Sequence, residues 1–214
     1  MKRTRVFVLA LLALLFVASP AAAAENEYWD GGFGQKAERR SDVVLGAAGG
    51  LLLGTALAYP NEVDKLDDPK YAVDTGFGAG SEYALWLGVA LKDWFVFGVG
   101  GFSAKLGGSA ASASGGGLLF HVESFPLYGL GGSARDLALY AEFGAGSLTV
   151  SSKGKQDGEG GLVSIAGLGS SYELWRLGHF AFGPNVSYTH VWSQTSNTDF
   201  VEVGLRAVFY GGPG

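Results

Sequence analysis

The chain has 214 residues, no cysteine, 36 glycines, 13% aromatic residues and a formal charge of −5. The missing thiol excludes disulfides, thiolate catalysis and a lipid anchor attached at a cysteine, and an acidic balance without a basic cluster excludes a nucleic-acid partner. The length suits one domain, and abundant glycine combined with abundant aromatics suits a small barrel, tight inside and aromatic where it meets membrane interfaces.

Lys2, Arg3 and Arg5 precede an apolar run from Val6 to Val17, followed by Pro20 and the small residues Ala21 to Ala24 before Glu25. This is the charged, apolar and small-residue order of a cleaved secretory signal over residues 1–24. The run falls short of the roughly 20 apolar residues that a permanent membrane helix needs. Cleavage would remove three of the 15 basic residues, leaving 12 against 20 acidic ones and a formal charge of −8. Residues 25–42 are polar, contain glycine and carry Arg39 and Arg40, and read as a periplasmic lead-in.

Val43 to Tyr59 is almost continuously apolar, and Gly46, Gly50 and Gly54 recur at a spacing that fits two periods. On a helix they form a close-packing membrane seam; on a strand they share a face with Ala48 and Ala56, opposite Leu45, Leu51, Leu53 and Leu57. The strand is favoured by its length and by the strands that follow. A charged stretch, Pro60 to Asp74, leads to a second strand, Thr75 to Leu91, with Tyr83, Leu85, Leu87, Val89 and Leu91 on one face. Lys92-Asp93 turns the chain into a third strand, Trp94 to Leu106, which runs into a flexible stretch, Gly107 to Gly117. The fourth, Leu118 to Tyr128, sets Leu118, Phe120 and Val122 against His121 and Glu123. The fifth, Leu137 to Ser151, alternates Leu137, Leu139, Ala141 and Phe143 with Tyr140 and Glu142, and its alternation slips around Ser147. After the polar loop Ser152 to Gly161 come the sixth strand, Leu162 to Trp175, a turn at Arg176-Leu177-Gly178 and the seventh, His179 to Trp192.

The last stretch, Asp199 to Tyr210, has the clearest period: Val201, Val203, Leu205, Ala207 and Phe209 alternate with Glu202, Gly204 and Arg206. The expected fold is therefore all-β, an eight-stranded antiparallel up-and-down transmembrane barrel over residues 43–210 with a short tail over 211–214. Long external loops are expected at the first, third, fifth and seventh links, with short periplasmic turns between them.

This pattern resembles the small eight-stranded outer-membrane barrel proteins of Gram-negative bacteria, of OmpA/OmpX/OmpW-like architecture. The resemblance implies an outer-membrane location, contact with outer-membrane lipids and lipopolysaccharide, insertion by the barrel-insertion machinery, and a monomer. The closing aromatics Phe209 and Tyr210 stand where such barrels carry an insertion signal.

A barrel of this size is filled by its own side chains, so the inward set Glu82, His121, Glu123, Glu142, Glu173, Glu202 and Arg206 is expected to form a polar lumen network, the cations neutralising part of the carboxylates. Trp175, Phe180, Tyr188, Trp192 and Phe209 are expected at the membrane interfaces. The reading calls for no catalytic residue, cofactor or metal. One enzymatic alternative is a lipid A deacylase-like site built from His190, Ser193 and Glu202; another alternative is a narrow solute channel. The Gly76–Gly80 run has neither the spacing nor the helix of a nucleotide loop, and the acids Glu62, Asp64, Asp67, Asp68 and Asp74 lack calcium-loop spacing.

Overall fold

The computed structural model describes residues 39–130, 132–152 and 157–212. The signal reading, most of the lead-in and the end of the tail lie outside the described residues. Ten strands form one antiparallel sheet: β1 (Asp42–Ala58), β2 (Val73–Asp74), β3 (Gly78–Lys92), β4 (Phe95–Gly107), β5 (Ser112–Ser124), β6 (Leu137–Ser151), β7 (Gly158–Tyr172), β8 (Trp175–Leu177), β9 (Phe180–Trp192) and β10 (Ser196–Tyr210). β10 pairs back onto β1 from Val44↔Tyr210 to Ala58↔Ser196, which closes the sheet. β8 prolongs the β7 side by pairing with β9, and β2 is a short flap on the end of β1, so the barrel has eight staves.

The apolar segment at 43–58 is a strand because both its faces are used. Val44, Leu52 and Ala56 are buried inside while Val43, Leu45 and Leu51 are exposed outside. Gly46, Gly50 and Gly54 face inward where nothing larger fits: a Cβ at Gly46 would land on the Trp86 indole, and one at Gly50 would meet the Glu202 carboxylate and the Val203 carbonyl. Across the neighbouring staves Leu85, Leu87, Phe97, Val99, Leu118, Phe120, Phe143 and Leu205 continue the exposed apolar band. A belt of this kind around a closed barrel is the outer wall of a membrane-spanning protein, in which every backbone group is paired and no edge remains.

The staves are longer than a bilayer requires. They run from 13 to 17 residues, whereas about 9–11 tilted residues cross the hydrocarbon core. In the half holding the termini the wall is apolar outside, and inside it the polar groups Glu82, His121, Glu123 and Arg206 adjoin a buried apolar cluster of Val44, Trp86, Val96, Phe125 and Val208. Toward the far end the outer face of β4 to β7 turns polar, with Ser103, Lys105, Ser112, Ser114, Ser147 and Ser164 outward and exposed beside the exposed Leu162, while Leu106, Ala113, Leu148, Val150, Val163 and Val191 are buried inside. The far end is thus a crown with the core of a water-soluble barrel, standing on a membrane-embedded base.

This inversion corrects two expectations. Gly107 to Gly117 is not a flexible loop. Ser112 to Gly117 is regular β5, paired with both β4 and β6, and the link is only residues 108–111. The stretch lacks outward hydrophobes because it has left the membrane. Nor does β6 change facing at Ser147: Leu148 and Val150 point inward like Tyr140 and Glu142, and only the polarity of each face changes. The irregularity lies on β7, where pairing slips between Ser147↔Leu162 and Thr149↔Glu159 at Gly161, whose φ of +59° suits a glycine-type bulge.

The links differ from the expected alternation as well. The second turn is Asp93-Trp94, one residue on from the expected pair, because Lys92 still pairs with Phe95. At the terminal end the fourth link, residues 125–136, is long and carries two 3₁₀ turns, Tyr128–Leu130 and Gly132–Asp136. At the far end the third and seventh links are short and the first, residues 59–77, dominates. Length is set by what each link must cover, and the terminal-end links fold inward over the lumen.

Candidate functional site: the lumen and its two seals

Three layers fill the barrel. The middle one is built on β3, β5, β6, β9 and β10, whose inward positions at this height are polar. The Arg206 guanidinium grips Glu123 with both terminal nitrogens, through Nη1 to Oε1 and through Nη2 to Oε2 at 2.6 Å, and Nη1 also donates to the Ser171 hydroxyl at 2.8 Å. It lies 4.8 Å from the Trp86 ring and 5.8 Å from that of Tyr140. His121 stacks on Trp86 at 4.8 Å and places Nδ1 2.9 Å from Glu142. The Tyr140 hydroxyl donates to Asn185 Oδ1 at 2.9 Å, and Asn185 Nδ2 donates to Glu202 at 2.7 Å. These groups surround a cavity of about 20 Å³, also lined by Glu82. Six of the seven expected network residues meet in this layer.

The seventh, Glu173, belongs to the terminal seal. It follows β7 and faces Arg40, which is completely buried. Arg40 donates from Nη2 to Glu173 at 2.7 Å and to Asp136 at 2.9 Å, from Nη1 to the Asp93 carbonyl at 3.2 Å, and from its backbone N–H to the Asp93 carboxylate at 3.1 Å. Its guanidinium sits 3.5 Å from the centre of the Phe125 ring. The three acids come from three different terminal-end links, and Tyr210, last residue of the closing strand, donates its hydroxyl to Glu173 at 2.5 Å. One arginine therefore ties the start of the barrel to every link at this end. Burial opposes its charge, but Glu173, Tyr210 and Asp136 outweigh that and hold Arg40 above its ordinary pKa. Burial also pushes the Asp136 carboxyl up, against Arg39 and Arg40 beside it. Sequence reasoning placed Arg40 in a lead-in and missed Asp93 and Asp136; charges flanking strands carry no signal that separates a plug from a solvated turn.

The far seal is the apolar crown core, with Leu52, Leu106, Leu148, Val163 and Phe200 among its members. Val73 of the β2 flap drops into it. Backbone bonds cross the mouth, Tyr59 N–H to the Thr195 carbonyl at 2.8 Å and Glu159 N–H to the Tyr59 carbonyl at 3.0 Å, and the Thr195 hydroxyl donates to the Glu159 carbonyl at 2.7 Å. Among the described residues both ends are filled, and the cavities beside Glu202 and beside Leu52 hold about 20 Å³ each, so the described interior is packed rather than open.

The hydrolase alternative is not assembled. Glu202 is inside the barrel on Asn185, and Ser193 bonds Thr195 and Ser196 in its own turn, at 3.2 and 2.9 Å. His190 is on the outer wall, where its Nδ1 lies 2.9 Å from Asp199, a carboxylate that also receives the Tyr188 hydroxyl. The parity rule explains the separation: odd positions of β10 face outward with His190, even ones face the lumen. Of the expected interfacial aromatics, Trp175, Phe180 and Phe209 lie on the outer wall toward the terminal end, Phe180 and Phe209 in contact at 5.2 Å between ring centres. Tyr188 and Trp192 lie toward the crown, Trp192 stacked on His190 at 5.1 Å. In the first loop Lys65 pairs with Glu62 at 2.7 Å. Among the described residues no three His, Asp or Glu side chains are grouped to hold a metal ion.

No protein-family model matches the sequence, and no curated protein sequence matches it. Solved structures of similar shape include Neisserial surface protein A, at 11% identity and a TM-score of 0.44 over 78% of this chain and 96% of that one. They also include Ail of Yersinia pestis, at 14% identity and a TM-score of 0.45 over 78% and 99%, and OprG of Pseudomonas aeruginosa, at 13% identity and a TM-score of 0.41 over 80% and 98%.

Proposed function

We propose that the protein is a non-enzymatic integral barrel of the Gram-negative outer membrane, its terminal end in the periplasm and its crown at the cell surface. The base anchors it among outer-membrane lipids and lipopolysaccharide after insertion by the barrel machinery. The crown and first loop form a rigid display surface for envelope integrity or partner contact, and the protein works as a monomer. The observation that carries this reading is the double seal: an Arg40 plug at one end and an apolar core at the other leave the lumen as structure rather than passage. Arg206 with Glu123 and His121 with Glu142 are paired in the lumen, as ionisable groups at membrane depth require.

The test combines two readouts on protein purified from outer membranes. Unboiled and boiled samples are expected to migrate differently in gels with a strand-dominated circular dichroism spectrum, and planar bilayers are expected to show no stepwise conductance. Steady ohmic conductance would refute the sealed lumen, and a change in lipid A acylation on expression would refute the non-enzymatic reading.

A further inference from the structure

On the outer wall, an ionisable pair stands where the apolar belt gives way to the polar crown. His190 of β9 and Asp199 of β10 are partners in the β9–β10 register. His190 Nδ1 lies 2.9 Å from Asp199 Oδ1, the same oxygen that accepts the Tyr188 hydroxyl. The two side chains are 36% and 38% exposed. Toward the terminal end every outward side chain of these strands is uncharged, from Tyr188 and Val201 down to Phe180 and Phe209. Interfacial aromatics need no carboxylate beside them, and an ionisable group at the margin of lipid is costly unless it is partnered. Half of this pair is still free: Asp199 Oδ2 and His190 Nε2 make no bond within the protein.

The surroundings define the chemistry of the missing partner. Thr55 of β1 pairs with Asp199 and Ser164 of β7 pairs with Trp192 in the sheet registers, and both hydroxyls face outward and are exposed. Trp192 is 39% exposed and stacks on His190 at 5.1 Å. Hydroxyl, carboxylate, imidazole, indole and hydroxyl thus stand in one row across four adjacent strands. A polyol finds acceptors and donors there, and the C–H face of a sugar ring finds an indole to cover it. A phosphate finds neither of its usual partners, because no Lys or Arg faces outward on β1, β7, β9 or β10, and the Asp199 carboxylate repels it. Directly below the row Leu168, Tyr188 and Val201 continue the belt in the same registers. We infer that this row is a binding site for the sugar headgroup of a glycolipid in the leaflet that meets the crown. Asp199 Oδ2 accepts from the sugar hydroxyls, Trp192 covers the ring, and the acyl chains run down the belt. The inference rests on the reading of the chain as a membrane barrel whose crown stands above the bilayer, and adds the class of lipid that the wall selects.

The experiment offers the purified full chain, in micelles of a polyoxyethylene dodecyl ether, an equal mixture of monoglucosyl diacylglycerol and phosphatidylglycerol with the same acyl chains. Mass spectrometry of the intact complex counts the lipid that each barrel retains. The expected result is one glucosyl lipid per barrel, preferred about tenfold over phosphatidylglycerol. Asp199→Ala and Trp192→Ala should each remove the preference, while Ser103→Ala on the crown wall should keep it. A second readout needs no variant to fold: in dodecyl maltoside micelles, nuclear magnetisation should pass from the sugar protons to the Trp192 indole of the unmutated protein. Equal retention of the two lipids, preference for phosphatidylglycerol, a preference surviving in both alanine variants, or no transfer from the maltoside would each overturn the inference. The gel shift on boiling is recorded on the same preparation. A barrel that shifts but shows no sugar preference overturns the inference alone, and a chain that does not shift overturns it together with the barrel reading beneath it.

Discussion

Replacing Arg40 by Met keeps an apolar stem over Phe125 and removes the shared cation of Asp93, Asp136 and Glu173. Removing one partner of a buried ion pair costs about 3–5 kcal/mol, because the remaining charge is left uncompensated. Arg39 stays 3.4 Å from Asp136 and Arg176 stays 3.5 Å from Glu173, so the expected loss is at the low end, about 3 kcal/mol. Equilibrium unfolding in urea in lipid or detergent measures it. The pH dependence gives the sign. Burial raises the Asp136 carboxyl above its ordinary 3.8 even with Arg39 and Arg40 present, and without Arg40 it must rise further. A carboxyl raised in the folded state binds more protons folded than unfolded. Stability therefore falls as pH climbs through the raised value and recovers as pH drops. The deficit of the variant should be largest at neutral pH and shrink on acidification through the carboxylate range. A deficit below about 1 kcal/mol, the scale of an exposed pair, or one independent of pH, would refute the keystone role.

Three further outcomes follow from the same geometry. Arg206→Met and Glu123→Gln should each destabilise by about 3–5 kcal/mol and the double variant by clearly less than their sum; an additive double-mutant cycle would contradict the bidentate pair. Gly46→Ala puts a Cβ onto the Trp86 ring, so the unfolding midpoint should fall by the equivalent of about 1–3 kcal/mol with the strand spectrum retained. Leu85→Arg on the belt should cost about 2–4 kcal/mol of the barrel in lipid, whereas Ser114→Arg on the crown wall should be nearly neutral; equal costs would place both in the same solvent.

The period of the strands was legible from residues alone because a sheet face cannot change parity without a bulge. The facing of Glu202, Gly204 and Arg206 on β10, and of Leu45 and Leu51 against Gly46 and Gly50 on β1, follows from alternation only. What alternation does not carry is the solvent on each side. Ser112, Ser114 and Ser147 were misjudged because a lipid-facing wall was assumed along the whole stave, and a strand that has risen into water looks like loop or slippage under that assumption. Residues joined by tertiary contact rather than by period were equally hidden. Arg40 lies far in sequence from Asp136 and Glu173, and the carboxylate beside His190 is Asp199, its partner in the β9–β10 register, not the inward-facing Glu202.

One continuous barrel wall passes from a membrane-embedded base to a water-exposed crown. The absence of cysteine allows single spin labels to be placed at will, so the decisive measurement is the accessibility of labels at outward positions to oxygen, enriched in lipid, against a water-soluble nickel chelate. Labels at Leu85, Leu118 and Phe143 should be relaxed by oxygen and shielded from nickel, and labels at Ser103, Ser114 and Ser147, on the outer face of the same or the adjoining staves, should show the reverse. Oxygen-dominated relaxation at all six positions would contradict the crown, and nickel access at Leu85 and Phe143 would contradict the membrane barrel itself.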